Sequence, residues 1–180
     1  MLMDIMIVAG FSPIIIKTSK QAADRQNLTA EESGGKERIL GKVAVVYYSG
    51  TGNTQEMAEA VAEGAKAEGA QTDLFECSDF NEAMAVDYTG IALGCPAMGD
   101  EELEDSEFQP LYDVLKPHLQ GKKVALFGSY GWGDGEWMRK WEGNIKGAGI
   151  ALETESVICN ESPDDEGLEK CRELGKAIAG

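Results

Sequence analysis

Residues 43–54 read Val-Ala-Val-Val-Tyr-Tyr-Ser-Gly-Thr-Gly-Asn-Thr, and a helical pattern follows over residues 55–67. An apolar, β-branched run that breaks into glycines and short hydroxyl residues, then resumes at helical period, predicts a strand, a tight loop and a helix start. Gly50 and Gly52 let the loop turn its N–H groups toward an anion. Ser49, Thr51, Asn53 and Thr54 add short side-chain donors, and the helix dipole favours negative charge there. The stretch is a candidate phosphate cradle. It contains no Lys or Arg and lacks the Gly-x-x-x-x-Gly-Lys-Ser/Thr spacing that reaches outer phosphates and a metal, which disfavours nucleoside triphosphate hydrolysis.

Downstream the alternation repeats. Strand-type runs at residues 71–75, 88–93, 123–127 and 151–158 are separated by helical patterns, clear over 135–146 and 163–179 and weaker over 108–119. Gly69 is placed to cap the first helix and Ser162 to open the last. Five strands with intervening helices predict right-handed crossovers and a doubly wound α/β fold: a three-layer sandwich around a five-stranded parallel sheet. In such sheets ligands sit beyond the carboxyl ends of the strands, where the strand order reverses. Three unusual loops fall there: residues 49–54; Gly94-Cys95-Pro96-Ala97-Met98-Gly99-Asp100-Glu101; and Gly128-Ser129-Tyr130-Gly131-Trp132-Gly133-Asp134-Gly135. They are expected to converge on one cleft.

The second and third loops each set a large polarisable side chain among small residues, Met98 in one and Trp132, with Tyr130, in the other. A flat aromatic ligand held between them requires that arrangement. Trp137 and Trp141, four apart on the next helix, are expected to be packing residues, and the single His118 a surface residue. No nucleophile with a general base, and no metal cluster, accompanies the three loops.

Charge and length limit the partners. The 180 residues carry a formal −16, which argues against nucleic acid and favours basic protein surfaces. Residues 1–41 differ from the rest: an apolar segment over 5–16, broken by Gly10 and Pro13, is too short to span a bilayer and lacks the basic start of a signal peptide. They are read as an N-terminal extension, disordered or non-native, ahead of one domain over 42–180. With six basic and five acidic residues in 1–42, the remainder holds ten basic and 27 acidic residues, a formal −17. Cys77, Cys95, Cys159 and Cys171 show no metal spacing and are expected to be buried or half-buried free thiols, which suits a reducing cytoplasm.

Over residues 42–180 the sequence resembles the flavodoxins of the short-chain, clostridial type. Three motifs in order carry the resemblance: Ser-Gly-Thr-Gly-Asn-Thr, Gly-Cys-x-Ala-Met-Gly-Asp-Glu and Ala-Leu-Phe-Gly-Ser-Tyr-Gly-Trp-Gly-Asp-Gly. It implies a flavodoxin-like strand order 2-1-3-4-5 and non-covalent FMN. The FMN phosphate is expected on Ser49, Thr51, Asn53 and Thr54 with Gly50 and Gly52; Met98 on the inner face of the flavin ring; and Trp132 on the outer face. Glu101 is expected at flavin N3. Pro96, Ala97, Gly99, Asp100, Ser129, Tyr130, Gly131 and Gly133 complete the implied binding set. Pro96 stands where the family often has Ser, which removes one hydrogen bond, about 1 kcal/mol.

The resemblance further implies a redox switch at Gly99 and Asp100. A flip of the Gly99 peptide would let its carbonyl accept from flavin N5–H and stabilise the neutral semiquinone. The second electron gives an anionic hydroquinone beside Asp100, Glu101, Glu102, Glu104, Asp105 and Glu107. At ~10 Å and an effective dielectric of ~20, each charge disfavours that anion by roughly 1 to 2 kcal/mol before screening. The expectation is a monomeric, low-potential one-electron carrier, not an enzyme. It would cycle between semiquinone and hydroquinone and dock reductases and low-potential acceptors through their basic surfaces. Two alternatives stay open: an FMN-dependent oxidoreductase of the quinone reductase type on the same fold, and a flavin-free interaction module.

Overall fold

The computed structural model describes residues 41–180. At its centre lies β1 (Lys42–Tyr47), whose residues Val43 to Tyr47 are all buried. A strand apolar at every position belongs inside a sheet covered on both faces. β2 (Gln71–Glu76), β3 (Gly90–Gly94), β4 (Lys123–Tyr130) and β5 (Val157–Asn160) join it in the order β2-β1-β3-β4-β5, with every pairing parallel. This is the strand order that the family resemblance implies.

The helices α1 (Asn53–Ala67), α2 (Phe108–Leu115), α3 (Glu136–Gly147) and α4 (Asp165–Ala179) supply the outer layers. Because side chains alternate along a strand, Val43, Val45 and Tyr47 meet the apolar faces of α1 and α4, while Ala44 and Val46 meet those of α2 and α3. Trp137 and Trp141 are both buried, as their helical spacing predicts, and Trp141 stands edge-on to Phe108 and Tyr112. His118 is exposed. All four cysteines are buried free thiols. Burial pushes the thiols up, Cys77 to about 11 and Cys171 to about 12, so neither is a thiolate at neutral pH.

Several boundaries differ from the expectations. β5 covers Val157–Asn160, not residues 151–158; Leu152 makes only an isolated bridge to Val124. Between the two, the Ser156 hydroxyl donates to Glu142 of α3, a partner outside the sheet. The last helix is capped by Asp164, whose Oδ1 accepts from the Gly167 N–H at 2.8 Å, and not by Ser162. β4 runs on through Gly128 and Ser129 to Tyr130, so the third loop is shorter than expected. The region 108–119 is a short α-helix followed by a 3-10 turn, Lys116–Leu119. Gly69 does lie in the left-handed region just past α1, as expected of its cap. The expectation for residues 1–41 falls, Gly41 apart, outside the described residues.

One buried carboxylate explains how α2 begins. Glu104 accepts from the Ser106, Glu107 and Phe108 N–H groups at 3.0, 2.9 and 2.8 Å, and from the Ser106 hydroxyl. Burial alone would raise its pKa, but these four donors, led by the Ser106 hydroxyl, hold the carboxyl at about 2 against an ordinary 4.5. A carboxyl depressed in the folded state stabilises fully above the unfolded value and loses that contribution as the pH falls toward the folded one. Glu104 therefore adds stability above about pH 4.5 that disappears between there and about pH 2. Glu104→Gln is expected to lower stability at pH 7 by about 2 kcal/mol, and to flatten the acid limb of a denaturation series run from pH 7 to pH 2. An acid limb identical to that of the parent chain would contradict this role.

Candidate functional site

Parallel register brings the three loops together. Tyr47 pairs with Gly94, and Gly94 with Phe127, so β1, β3 and β4 reach their carboxyl ends at one level. Backbone pairing then continues past the strands: Tyr48 N–H donates to the Gly94 carbonyl, Cys95 to Phe127, and Ala97 to Ser129, at 2.9, 3.1 and 2.9 Å. The loops leave from a common floor.

The first loop runs over residues 49–54. The Ser49 hydroxyl accepts from the Gly52 N–H at 3.1 Å and closes a tight turn. Gly52, with φ +97, opens α1 without any capping side chain. The first-turn N–H groups of a helix have no acceptors within it, so those of Asn53, Thr54 and Gln55 are donors for an outside anion. Gly50, Thr51 and Gly52 are exposed, Ser49 and Asn53 half-buried, and Thr54 buried beneath them. Among the described residues no basic side chain is hydrogen-bonded or ion-paired to this loop, so the donor set is neutral. It suits a single phosphate group on a helix dipole.

The second loop is a hairpin. Met98 and Glu102 exchange both backbone hydrogen bonds at 2.9 Å, and Gly99, Asp100 and Glu101 form its tip. Gly99 has φ +47, a conformation that favours glycine. Pro96 and Ala97 are half-buried at its base, whereas Met98 is 40% exposed. In the third loop Trp132 is 61% exposed, and its ring contacts no other aromatic ring among the described residues. Two large apolar side chains held open to solvent on neighbouring loops are able to receive a flat apolar group. Gly131 and Gly133 flank Trp132 and are exposed. Tyr130 is not free in the same way: it is half-buried, with its ring 5.5 Å from that of Trp137.

The loops are bolted together by Glu101, a residue expected at the ligand. Its carboxylate is buried and its Oε1 accepts from the Gly135 and Glu136 N–H groups, both at 2.9 Å, at the start of α3. The residue adopts φ +52 to reach them. A Cβ on Gly133, itself at φ +88, would lie 2.4 Å from the Glu101 Cδ, so only glycine admits the carboxyl. Nothing in the order of residues along the chain shows this bond, since its partners are 34 and 35 residues apart. One signal points toward it: α3 opens at Gly135 with no capping side chain of its own, which calls for an acceptor from elsewhere. The Trp137 indole adds a second tie, donating to the Cys95 carbonyl at 3.2 Å.

Charge around the rim is negative. Asp100 and Glu102 are exposed on the hairpin, and Asp134 and Glu136 on the facing loop and helix. The nearby cations are taken by neighbours: Lys140 pairs with Glu102 and Glu136, and Arg139 with Asp134. Asp100 has no ion-pair partner among the described residues. No group of His, Cys, Asp and Glu able to hold a metal occurs among the described residues, and no helix there is long and apolar enough to cross a membrane.

The comparisons agree with this geometry. The flavodoxin family model matches residues 45–175. The flavodoxin of Clostridium beijerinckii is 47% identical over 136 residues, 75% of this chain and 97% of that one. The flavodoxin of Megasphaera elsdenii is 47% identical over 137 residues, 76% and 98% of the two chains. The solution structure of two-electron reduced Megasphaera elsdenii flavodoxin superposes with a TM-score of 0.70 at 46% identity, covering 76% of this chain and 97% of that one. An archaeal flavodoxin structure gives a TM-score of 0.70 at 28% identity, covering 77% and 96%. The chain belongs to the flavodoxin family, the small FMN-binding electron-transfer proteins that convert no substrate of their own.

Proposed function

We propose that this chain is a low-potential, one-electron carrier that holds the FMN phosphate on residues 49–54, clasps the flavin between Met98 and Trp132, and meets basic redox partners over its acidic rim. One observation carries the reading. An uncapped helix start with neutral donors stands at the same carboxyl edge of the sheet as two exposed apolar side chains on neighbouring loops. Bound FMN supplies reversible one-electron chemistry; the chain's own residues set its potentials and its access.

The donors of Ser49, Thr51, Asn53 and Thr54, with the N–H groups of the first turn of α1, hold the phosphate dianion without a cation. Met98 and Trp132 keep water from the ring faces and leave an edge for transfer. Glu101 spends one oxygen on α3, which would leave the other to accept from flavin N3–H. Pro96 and Ala97 line the base of the hairpin, Ser129 and Tyr130 end β4, and Gly131 and Gly133 shape the loop that follows. Gly99 is the residue that moves: a Cβ there meets no atom within 4 Å, so a side chain at this position acts on the backbone alone. If its peptide rotates, the Gly99 carbonyl would accept a hydrogen bond from flavin N5–H. Asp100, exposed at the hairpin tip, sets the local field that opposes a second electron.

The cation-poor rim supports docking by charge, an association that weakens with ionic strength. Four buried free thiols fit a reducing cytoplasm, and a monomer leaves the flavin edge open to alternate partners.

A reductive titration of the FMN-loaded protein is expected to show two separate one-electron steps. A single two-electron step, colourless protein after reconstitution with FMN, or NADPH oxidation by the purified chain alone would each overturn the carrier reading. In Gly99→Thr, whose side chain meets free space, the interval between the two potentials is expected to shrink; an unchanged interval would reject the peptide movement. Asp100→Asn is expected to raise the second potential by a few tens of millivolts at low salt, at about 59 mV per 1.4 kcal/mol. The difference should narrow in high salt, and its absence at low salt would remove Asp100 from the field.

A further inference from the structure

Ser129 is the penultimate residue of β4 and touches all three loops. Its carbonyl accepts from the Ala97 N–H at 2.9 Å, which fastens the second loop. Its own chain continues into the third. Its hydroxyl lies 3.0 Å from the Thr54 hydroxyl, the second residue of α1, and either oxygen can be the donor. Both residues are buried, Thr54 at 1% and Ser129 at 4% exposure. Along β4, Ser129 shares the face of Phe127, which packs under α1 and α4. Its hydroxyl thus sits below the helix start, not in the open part of the cleft.

A hydroxyl has one hydrogen to give and can accept as well. In an isolated Thr–Ser pair the two proton orders are equivalent in kind, and in one of them Thr54 spends its only hydrogen on Ser129. An anion above α1 breaks the tie. With Ser129 donating to Thr54, the Thr54 hydrogen is released toward the anion, and each bond polarises the next in a site with little water to screen it.

We infer that Ser129 is a positioning residue: its hydroxyl orients the Thr54 hydroxyl as a phosphate donor and does not itself bind the ligand. The inference rests on the FMN reading above, and it changes the role of Ser129 from ligand contact to support. It also couples the phosphate loop to the loop bearing Trp132 through a single buried bond.

Riboflavin, which has the ring and ribityl chain of FMN without the phosphate, separates the two roles. Dissociation constants for FMN and riboflavin are measured by flavin fluorescence quenching on the full chain, as parent, Ser129→Ala, Thr54→Val and the double variant. Ser129→Ala is expected to weaken FMN about tenfold, the loss of one oriented charge-assisted hydrogen bond, with riboflavin changed less than about twofold. On the Thr54→Val background, Ser129→Ala should add less than about twofold to the FMN loss. Equal weakening of both ligands, which a ribityl contact or a purely structural role would give, overturns the inference, as does full additivity in the double variant. If the parent chain takes up no FMN, the cofactor reading falls and this inference with it; normal uptake by the parent with either adverse pattern defeats the inference alone.

Discussion

Parallel pairing is the constraint on which the site depends. Every strand of an all-parallel sheet ends on the same side, and the register between β1, β3 and β4 puts those ends level at Tyr47, Gly94 and Phe127. Loops separated by some forty residues in sequence therefore leave from neighbouring points about 5 Å apart. Each needs only a few residues to reach a common ligand. The central strands accept this placement because they are apolar on both faces, and α1 with α4, and α2 with α3, cover them.

The second theme is how so acidic a domain places negative charge. Three of its helices begin against a carboxylate: α2 against Glu104, α3 against Glu101 and α4 against Asp164. The fourth, α1, begins without a capping side chain and faces the cleft. Backbone N–H groups thus do what Arg or Lys does in other proteins, and the few rim cations are left to neutralise surface neighbours. A dipole is a weaker attractor than a full cation. In the proposed role it would hold the phosphate without adding positive charge beside the flavin, where a cation would ease the arrival of electrons.

Much of this was legible in the sequence, for identifiable reasons. The strand–loop–helix change at residues 43–54 is local, so periodicity and turn chemistry report it directly. The open placement of Met98 and Trp132 followed from large residues set among glycines after a strand. Less legible were features decided by contacts across the fold. β5 starts late because Ser156 bonds to Glu142 on another element. Ser162 and Asp164 are both good capping residues flanking Pro163, and the choice between them rests on where the chain leaves β5. Glu101 is implied as a ligand group by the family resemblance alone; its bonds to the start of α3, a helix it meets only once the loops converge, have no signal along the chain.

The backbone bonds that continue the sheet past its strand ends, Tyr48 to Gly94, Cys95 to Phe127 and Ala97 to Ser129, bear on speed as well as shape. They make the cleft floor an extension of the sheet, and with Glu101 tied to α3 they leave Gly99 and Asp100 as the exposed, unbonded part of the hairpin tip. A carrier must accept and release an electron with little motion in either direction. A floor held this firmly keeps the rearrangement that accompanies each transfer small, which lowers the barrier in both directions by the same cause.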